Sequence, residues 1–175
     1  RAYTYKDAYG RLVCVASTQV PFHVRRILAT ALDTSKSNIR VVKPRIGGGF
    51  GAKQSVVNEI FPALVTWKTG KPAKIVYSRK ESQIASSPRH QMQITVKLGA
   101  DENGNLKAAS LYTLSNAGAF GDHTPTTIGL TGQKSLPLYT SHVNAFKFSF
   151  DGVYSNTIPA GAYRGYGATQ GVFMR

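Results

Sequence analysis

Short apolar runs and helical stripes alternate through the first half of the chain. Residues 11–17 form an apolar run of the length of a buried strand, and residues 39–43 form another. Between them, apolar positions recur at i, i+3, i+4 and i+7, and Pro21 suits the first turn of a helix whose buried face would be Val24, Ile27, Leu28 and Ala31. This stretch therefore predicts a strand, a helix and a second strand.

A second amphipathic pattern begins near Gln54 and predicts a helix that stops at Gly70. Its apolar stripe would consist of Val57, Ile60, Phe61 and Leu64. Pro62 lies inside this stripe, where a proline kinks or breaks a helix. Residues 73–78 predict a third strand, so the first half follows the alternation that is typical of α/β proteins.

Strand-like alternation of apolar and polar residues dominates the second half. Residues 92–98 alternate in this way, the Asn-Gly pair at 103–104 is a strong hairpin turn, and residues 106–115 predict the return strand. Three phenylalanines alternate in a further strand over residues 146–150. Residues 116–140 are rich in Gly, Thr and Pro, and a loop of that length usually has a function or contains a short helix. The pattern as a whole predicts an α/β (α+β) fold: a mixed sheet with two main helices packed on it plus an antiparallel hairpin.

Composition and charge narrow the class of protein. The hydrophobic share of 42% is enough for a real core, and no apolar stretch approaches the length of a membrane span. The net charge of +14 points to anionic partners, but the basic residues are scattered and form no tail. A basic nucleic-acid-binding domain therefore stays open as an alternative.

Cysteine usage and the chain ends add two expectations. The single cysteine, Cys14, excludes an internal disulfide and a thiolate zinc cluster within the chain, and its apolar surroundings predict a buried, inert thiol. One cysteine fits a reducing cytoplasm, which we take as the expected location. The chain lacks an initiator Met, and residues 171–175 resemble the beginning of a helix, so both ends are typical of a piece of a longer protein.

The glycine-rich segment Gly47–Gly51 is the most informative local feature. It follows a predicted strand and would open a helix, so its bare backbone and the helix's first N–H groups favour an anion or phosphate, or else a tight packing turn. A P-loop would need Gly at Ala52 and Ser or Thr at Gln54. The dinucleotide fingerprint is formally met, but no acidic residue follows at the required distance in residues 68–74.

Four segments together resemble the molybdenum hydroxylase family of xanthine dehydrogenases and aldehyde oxidases. The segment GGGFGAKQ at 47–54 is similar to the family's glycine-rich turn, and Ser17-Thr18-Gln19 resembles its S-T-Q motif. The segment GAYRGYG at 161–167 and the pair Arg89-His90 also match. The matches occur in the family's order and cover nearly the whole chain. The resemblance implies that residues 1–175 are one fragment of the molybdopterin-binding domain of the large subunit.

The resemblance also implies roles for individual residues. The family's molybdenum is held by the sulfurs of a pterin cofactor, which some members carry as a dinucleotide, so no protein side chain is expected to bind the metal directly. Gln19 would hydrogen-bond an oxo ligand of molybdenum through its amide. Phe50 and Gly51 would bring backbone groups against the cofactor, and Gly48 would allow that approach. Arg164 would hold the cofactor's oxygen atoms with its planar set of donors.

Gln54 and Tyr166 would face the substrate. Purine-oxidising members carry a glutamate where this chain has Gln54, which keeps the hydrogen bonding but loses the charge. Tyr166 stands where an aromatic ring often stacks on a planar substrate. The resemblance therefore implies a small aromatic, heteroaromatic or aldehyde substrate that is hydroxylated with oxygen from water, with no part for nucleic acid or membrane.

The general base that this reaction requires is not expected within the chain. In the family it is a glutamate in a motif like G-x-G-E beyond the matching segment, and Asp122 and Glu59, the nearest carboxylates here, are better explained as structural. Iron–sulfur and flavin (FAD) modules would also lie on other domains or subunits, because one cysteine cannot bind a cluster. We therefore expect this chain alone to be inactive. A non-catalytic assembly domain is a further alternative.

Overall fold

The first unit of the chain, residues 1–86, is built on a four-stranded mixed sheet. From one edge to the other, the strands are β3 (Ile39–Val42), β2 (Leu12–Ala16), β1 (Ala2–Lys6) and β4 (Ala73–Ile75). The computed structural model describes residues 1–139, 141 and 143–174. Strands β2 and β3 are parallel, whereas β1 pairs antiparallel with both β2 and β4. Strands β2, β3 and β4 confirm the prediction, while β1 was not predicted.

Helix α1 (Pro21–Ala31) connects β2 to β3 and confirms the first helix. Pro21 lies in its first turn, as predicted. The helix buries Val24, Leu28 and Ala29 in the core of this unit, so the predicted face is wrong in part: Ile27 is half-buried and Ala31 is exposed. The core also contains, from the strands and the second helix, Ala2, Leu12, Cys14, Ala16, Ile39 and Ala63.

Helix α2 (Ile60–Thr69) exists but begins later than the sequence predicted. Residues 54–59 form bends and turns, and this shift places Pro62 in the first turn, where a proline costs no hydrogen bond. The predicted stripe is also wrong in part: Phe61 and Leu64 are exposed, and the buried face is Pro62, Ala63 and Thr66. The predicted stop is confirmed, because Gly70 has a left-handed φ of 70°. A short helix α3 (Arg79–Ala85), with a capping box at Ser78, follows β4.

Cys14 is fully buried in β2, which confirms the prediction of an inert thiol. Burial raises the pKa of the Cys14 thiol to about 12, so the reactive thiolate does not form near neutral pH. In the part of the chain that the structure describes, no helix is long and apolar enough to cross a bilayer.

The second unit, residues 87–175, has a separate three-stranded sheet with the order β5-β6-β7. Strands β5 (Met92–Ala100) and β6 (Leu106–Gly118) form the predicted antiparallel hairpin. Strand β7 (Ala145–Tyr154) pairs with β6 in parallel. The α/β class with mixed sheets, two helices on the first sheet and an antiparallel hairpin is therefore confirmed.

The stretch 116–140, which is rich in Gly, Thr and Pro, contains a helix of 12 residues, α4 (Thr124–Ser135). A 3-10 turn, Leu136–Tyr139, directly follows this helix. Thr140 and His142 lie outside the described residues, as does Arg175. A last helix, α5 (Ala168–Phe173), packs against α4. Glycines permit this contact, because a Cβ at Gly167 or Gly171 would collide with the backbone of α4.

A buried hydroxyl pair fixes helix α2 to strand β1. The Thr4 hydroxyl donates to the Pro62 carbonyl at 2.7 Å and lies 2.7 Å from the Thr66 hydroxyl. Both threonines are fully buried. Since buried polar groups are costly when they lack partners, this pair specifies where α2 sits on the sheet.

Replacing Thr4 by Val should remove this bond while keeping the shape of the side chain. We expect Thr4→Val to lower the free energy of unfolding by about 1–3 kcal/mol, because the Pro62 carbonyl would lose the hydroxyl donor and the Thr66 hydroxyl would keep only its longer bond, 3.4 Å, to the Thr4 carbonyl. Chemical denaturation of the purified protein measures the change. Thr4→Ser keeps the hydroxyl and should cost less; an equal loss in both variants would mean that the hydrogen bonds are not the cause.

Candidate functional site

The loop between β2 and α1 carries the S-T-Q segment and is held by hydrogen bonds to its backbone N–H groups. Thr18 is fully buried, and its hydroxyl accepts a hydrogen bond from the Val20 N–H at 3.0 Å. The Gln19 N–H donates to the Lys53 carbonyl at 2.9 Å. The loop is therefore joined to the far end of the glycine-rich segment.

The glycine-rich segment forms consecutive tight turns. The Ala52 N–H donates to the Gly49 carbonyl and the Gln54 N–H to the Gly51 carbonyl, both at 3.0 Å. Three residues have left-handed backbone: Gly48 at φ 136°, Phe50 at φ 50° and Gly51 at φ 87°. The expectation that the segment opens a helix is wrong, because α2 starts only at Ile60. Any attraction for an anion must therefore come from the turn's own N–H groups.

The side chain of Gln19 lies against this turn. Its Oε1 accepts a hydrogen bond from the Gly51 N–H at 3.0 Å. Glycine at position 49 leaves room for this bond, since a Cβ there would collide with the Gln19 side chain in its present position. Because the amide oxygen is used by Gly51, the amide NH2 of Gln19 is the end that can donate to a ligand.

Lys53 ties the turn to the end of strand β2. Its Nζ donates to the Ser17 hydroxyl at 3.0 Å and to the Gly48 carbonyl at 2.9 Å. The two segments singled out from the sequence therefore meet through side chains of both. Residues Gln19, Gly48, Phe50, Gly51 and Gln54 all belong to this arrangement in the first unit.

Phe50 is presented in an unusual way. Its side chain is 61% exposed, although its backbone has a positive φ that bulky residues rarely adopt. Among the described residues, the others that are not glycine and have positive φ are Asp33 and Tyr166. A strained backbone persists only when its surroundings enforce it, and such positions cluster at ligand sites. Phe50 and Tyr166, which both lie in segments that resemble the family's motifs, thus share this rare backbone geometry.

Glu59 is buried and has a structural explanation. Its carboxylate accepts hydrogen bonds from the Val57 N–H at 2.7 Å and the Asn58 N–H at 3.0 Å. These bonds shape the turn that precedes α2. Glu59 also lines a cleft of about 350 Å³, together with Ser17, Lys53 and Arg79.

In the second unit, the loop GAYRGYG also adopts left-handed backbone. Gly165 has φ 90°, Tyr166 φ 44° and Gly167 φ 91°, and the Tyr166 N–H donates to the Tyr163 carbonyl at 2.7 Å. Gly167 presses directly on the carbonyl of Thr127 in α4, where no side chain fits. The loop is therefore held in one conformation against the helix.

Arg89 fastens the same loop from the start of the hairpin. Its guanidinium donates to the Arg164 carbonyl at 2.5 Å and to Gln170 Oε1 at 3.3 Å, and it lies 4.7 Å from the centre of the Tyr163 ring. The bond from Arg89 fixes the Arg164 backbone, while the Arg164 side chain is exposed to solvent. The sequence had matched Arg89 to the family without giving it a role.

Tyr166 has a partner that the sequence did not reveal. Its hydroxyl lies 2.6 Å from His123 Nδ1, and the two rings meet edge to face at 5.6 Å between centroids. His123 Nε2 lies 3.9 Å from Asp122 Oδ2. No sequence signal joins these residues, because 43 positions separate His123 from Tyr166.

His90 is buried beside this group and joins β5 to α4. Its Nε2 lies 2.9 Å from the Thr124 hydroxyl. Burial lowers the pKa of His90 from its ordinary value of 6.5, so the ring is neutral in the folded protein at physiological pH. In the described residues, no cluster of three or more His, Cys, Asp or Glu side chains could hold a metal ion directly.

Lys53 should control the rigidity of the glycine-rich turn. We expect Lys53→Met to accelerate amide hydrogen exchange over residues 47–53 by roughly tenfold or more, because the turn loses both bonds that tie it to β2. Hydrogen exchange with mass spectrometry on the purified protein measures this. Lys71→Met, on the exposed surface, is the matched control; equal exchange in both variants would show that Lys53 does not hold the turn.

His90 should make the second unit sensitive to acid. Its folded-state pKa is lowered, so below about pH 6.5 the unfolded chain binds the proton more readily and stability falls as the pH falls. His90→Gln should flatten the dependence of the melting temperature on pH between about 7.5 and 5. His23→Gln, at an exposed histidine, should leave the slope unchanged, and a similar effect of both substitutions would contradict the prediction.

Comparison with known proteins places these features in a family. The sequence profile of the molybdopterin cofactor-binding domain matches residues 2–175. A probable hypoxanthine oxidase of Escherichia coli strain K12 is 42% identical over 93% of this chain and 17% of its own length. The large molybdopterin subunit of nicotinate dehydrogenase from Eubacterium barkeri is 35% identical over 95% of this chain and 39% of its own. The chain thus spans less than half of these relatives.

A solved structure agrees with the fold. The aldehyde oxidoreductase from Desulfovibrio gigas superposes with a TM-score of 0.88 at 22% identity, covering 98% of this chain and 19% of the other. These comparisons give no support to a nucleic-acid-binding domain. Because the family's profile matches the sequence from residue 2 to residue 175, the chain belongs to the molybdopterin cofactor-binding domain family.

Proposed function

We propose that this chain is one part of the molybdopterin-binding region of a molybdenum hydroxylase, and that the whole protein hydroxylates a carbon of its substrate with oxygen from water. The observation that carries the proposal is the hydrogen bond from the Gly51 N–H to Gln19 Oε1, which joins the two motifs and leaves the amide NH2 of Gln19 as the group that can donate to a ligand. Family membership supports the cofactor. The relatives' activities support the reaction class.

The first unit offers groups that fit such a cofactor. Gln19 supplies an uncharged donor, which suits an oxo group. Gly48 and Gly51 leave bare backbone where a ligand must approach closely, and Phe50 lies exposed between them. When bound, the cofactor would supply the electron-accepting metal centre, while these residues orient it and exclude alternative positions.

Arg164 is the residue in the second unit that we assign to the cofactor. Its guanidinium stays charged and presents its donors in a plane, which suits the oxygen atoms of the pterin's phosphate or of the metal's ligands. Arg89 fixes the Arg164 backbone, so the exposed side chain starts from a defined position.

The substrate that we favour is a nitrogen heteroaromatic ring. Gln54 would offer a neutral amide, and Tyr166 would offer a hydroxyl on an aromatic ring. Each of these groups suits a planar, polar, uncharged ring. Relatives at 35% to 42% identity are named for hypoxanthine and nicotinate oxidation. Aldehydes are the second substrate class, because an indole-3-acetaldehyde oxidase of Arabidopsis thaliana is 31% identical.

The remaining parts of the reaction would lie outside residues 1–175. We assign the general base to a glutamate elsewhere in the large subunit, because Glu59 is occupied by two backbone N–H groups. Electrons would leave through iron–sulfur and flavin modules on other domains or subunits. Cys14, as the single cysteine, fits a protein of the reducing cytoplasm.

Molybdenum content and the origin of the product oxygen test this proposal in the full-length protein. We expect stoichiometric molybdenum and incorporation of ¹⁸O from labelled water into the product. Gln19→Ala and Arg164→Met should lower molybdenum content or activity by roughly 10–100-fold, as the loss of groups that orient a metal's ligands does.

Matched controls are available for both substitutions. Gln133→Ala and Arg26→Met replace the same residue types at exposed positions outside the four motif segments and should leave molybdenum content and activity unchanged. Protein that contains no molybdenum when produced in cells that make the cofactor would refute the proposal. Product oxygen that comes from molecular oxygen would refute the reaction class alone.

A further inference from the structure

The hydroxyl of Tyr166 is held in one place by the backbone and by its partner. The left-handed run Gly165–Gly167 and the contact of Gly167 with Thr127 fix the tyrosine's position on α4. The 2.6 Å distance to His123 Nδ1 is that of a strong hydrogen bond. The hydroxyl therefore cannot rotate freely to suit any ligand.

The carboxylate of Asp122 favours one direction for this hydrogen bond. Its Oδ2 lies 3.9 Å from His123 Nε2, and a carboxylate on that side favours the imidazole tautomer with its proton on Nε2. In that tautomer Nδ1 is an acceptor, and the Tyr166 hydroxyl donates its single proton to it. The other lone pairs of the phenol oxygen remain available as acceptors only.

The position of His123 is itself defined. It is the residue directly before α4, and the next residue, Thr124, is bonded to the buried His90 and through its N–H to the Gly121 carbonyl at 2.8 Å. The backbone of His123 is thus held at the start of α4. This makes His123 suited to orient another side chain.

We infer that His123 is a positioning residue that turns Tyr166 into an obligatory hydrogen-bond acceptor, and that the substrate site therefore selects rings bearing an N–H donor, such as lactams. This inference rests on the proposed function, in which Tyr166 faces the substrate. If a ring instead presents an acceptor atom to Tyr166, that atom faces a lone pair of the phenol oxygen, and the hydrogen bond that a ring N–H would make is absent. Removing the His123 acceptor would free the hydroxyl to donate and so relax the selection.

A pair of isosteric ligands separates these cases in the full-length, cofactor-loaded protein. In 2-quinolone a ring N–H stands where coumarin has a ring oxygen. The two molecules therefore have nearly the same size, but one has a hydrogen-bond donor at the position where the other has an acceptor. We expect the wild-type protein to bind 2-quinolone roughly tenfold more tightly than coumarin, as the gain or loss of one buried hydrogen bond implies. Dissociation constants from calorimetry provide a readout that does not depend on turnover.

Variants then assign the preference to the two residues. Tyr166→Phe should abolish it, and His123→Phe should reduce it mostly by tightening coumarin binding, because the freed hydroxyl can donate. His123→Asn should restore it, since the asparagine Oδ1 can accept from the tyrosine where Nδ1 does. The double variant should match Tyr166→Phe, and His23→Phe, the same change at an exposed histidine, should behave as wild type.

The outcomes distinguish this inference from the proposed function. Equal binding of the two ligands by the wild type, or a preference unchanged by His123→Phe in a protein whose melting temperature is unaltered, overturns the inference. Molybdenum content and ¹⁸O incorporation would still stand as independent tests of the function. A purely structural role for His123 predicts equal weakening of both ligands, and that result would also overturn the inference.

Discussion

The glycine-rich turn takes its shape from its attachment to the end of β2. Lys53 and Gln19 hold this attachment from opposite sides: Lys53 binds Ser17 and Gly48, while Gln19 binds Gly51 and leaves no space for a side chain at Gly49. Left-handed turns are costly unless their surroundings enforce them. These bonds therefore make the bare backbone of the turn, and the exposed ring of Phe50, possible.

The second unit also holds a left-handed loop in place, but it does so with different groups. Its left-handed loop rests on α4 through Gly167 and is fastened by Arg89, so Tyr166 can be held at positive φ. Rigid loops on a packed scaffold are where binding residues concentrate, because orientation is set before the ligand arrives. Both loops have this form, and both contain residues that the sequence motifs had marked.

Strands β2 to β7 and helix α1 could be predicted, because the alternation or helical spacing of their apolar residues is visible in the sequence itself. The start of α2 could not, since the apolar residues near Val57 fit a helix, yet Glu59 caps a turn there and Pro62 suits only a first turn. Strand β1 was missed although it forms a local hairpin with β2, in which Lys6 pairs with Leu12; only its pairing with β4 involves partners distant in the chain. Local propensity carries no record of such pairing.

The sequence alone determined the family, the order of the motifs and the residue types that a bound cofactor would meet, because these are properties of residues in order along the chain. Only the tertiary structure decided that the Gly51 N–H donates to the Gln19 amide oxygen and that Arg89 donates to the Arg164 carbonyl. It also decided that His123 hydrogen-bonds Tyr166. These are contacts between residues 32 to 75 positions apart. Hydrogen bonds need atoms within about 3 Å, and folding alone brings such distant residues that close.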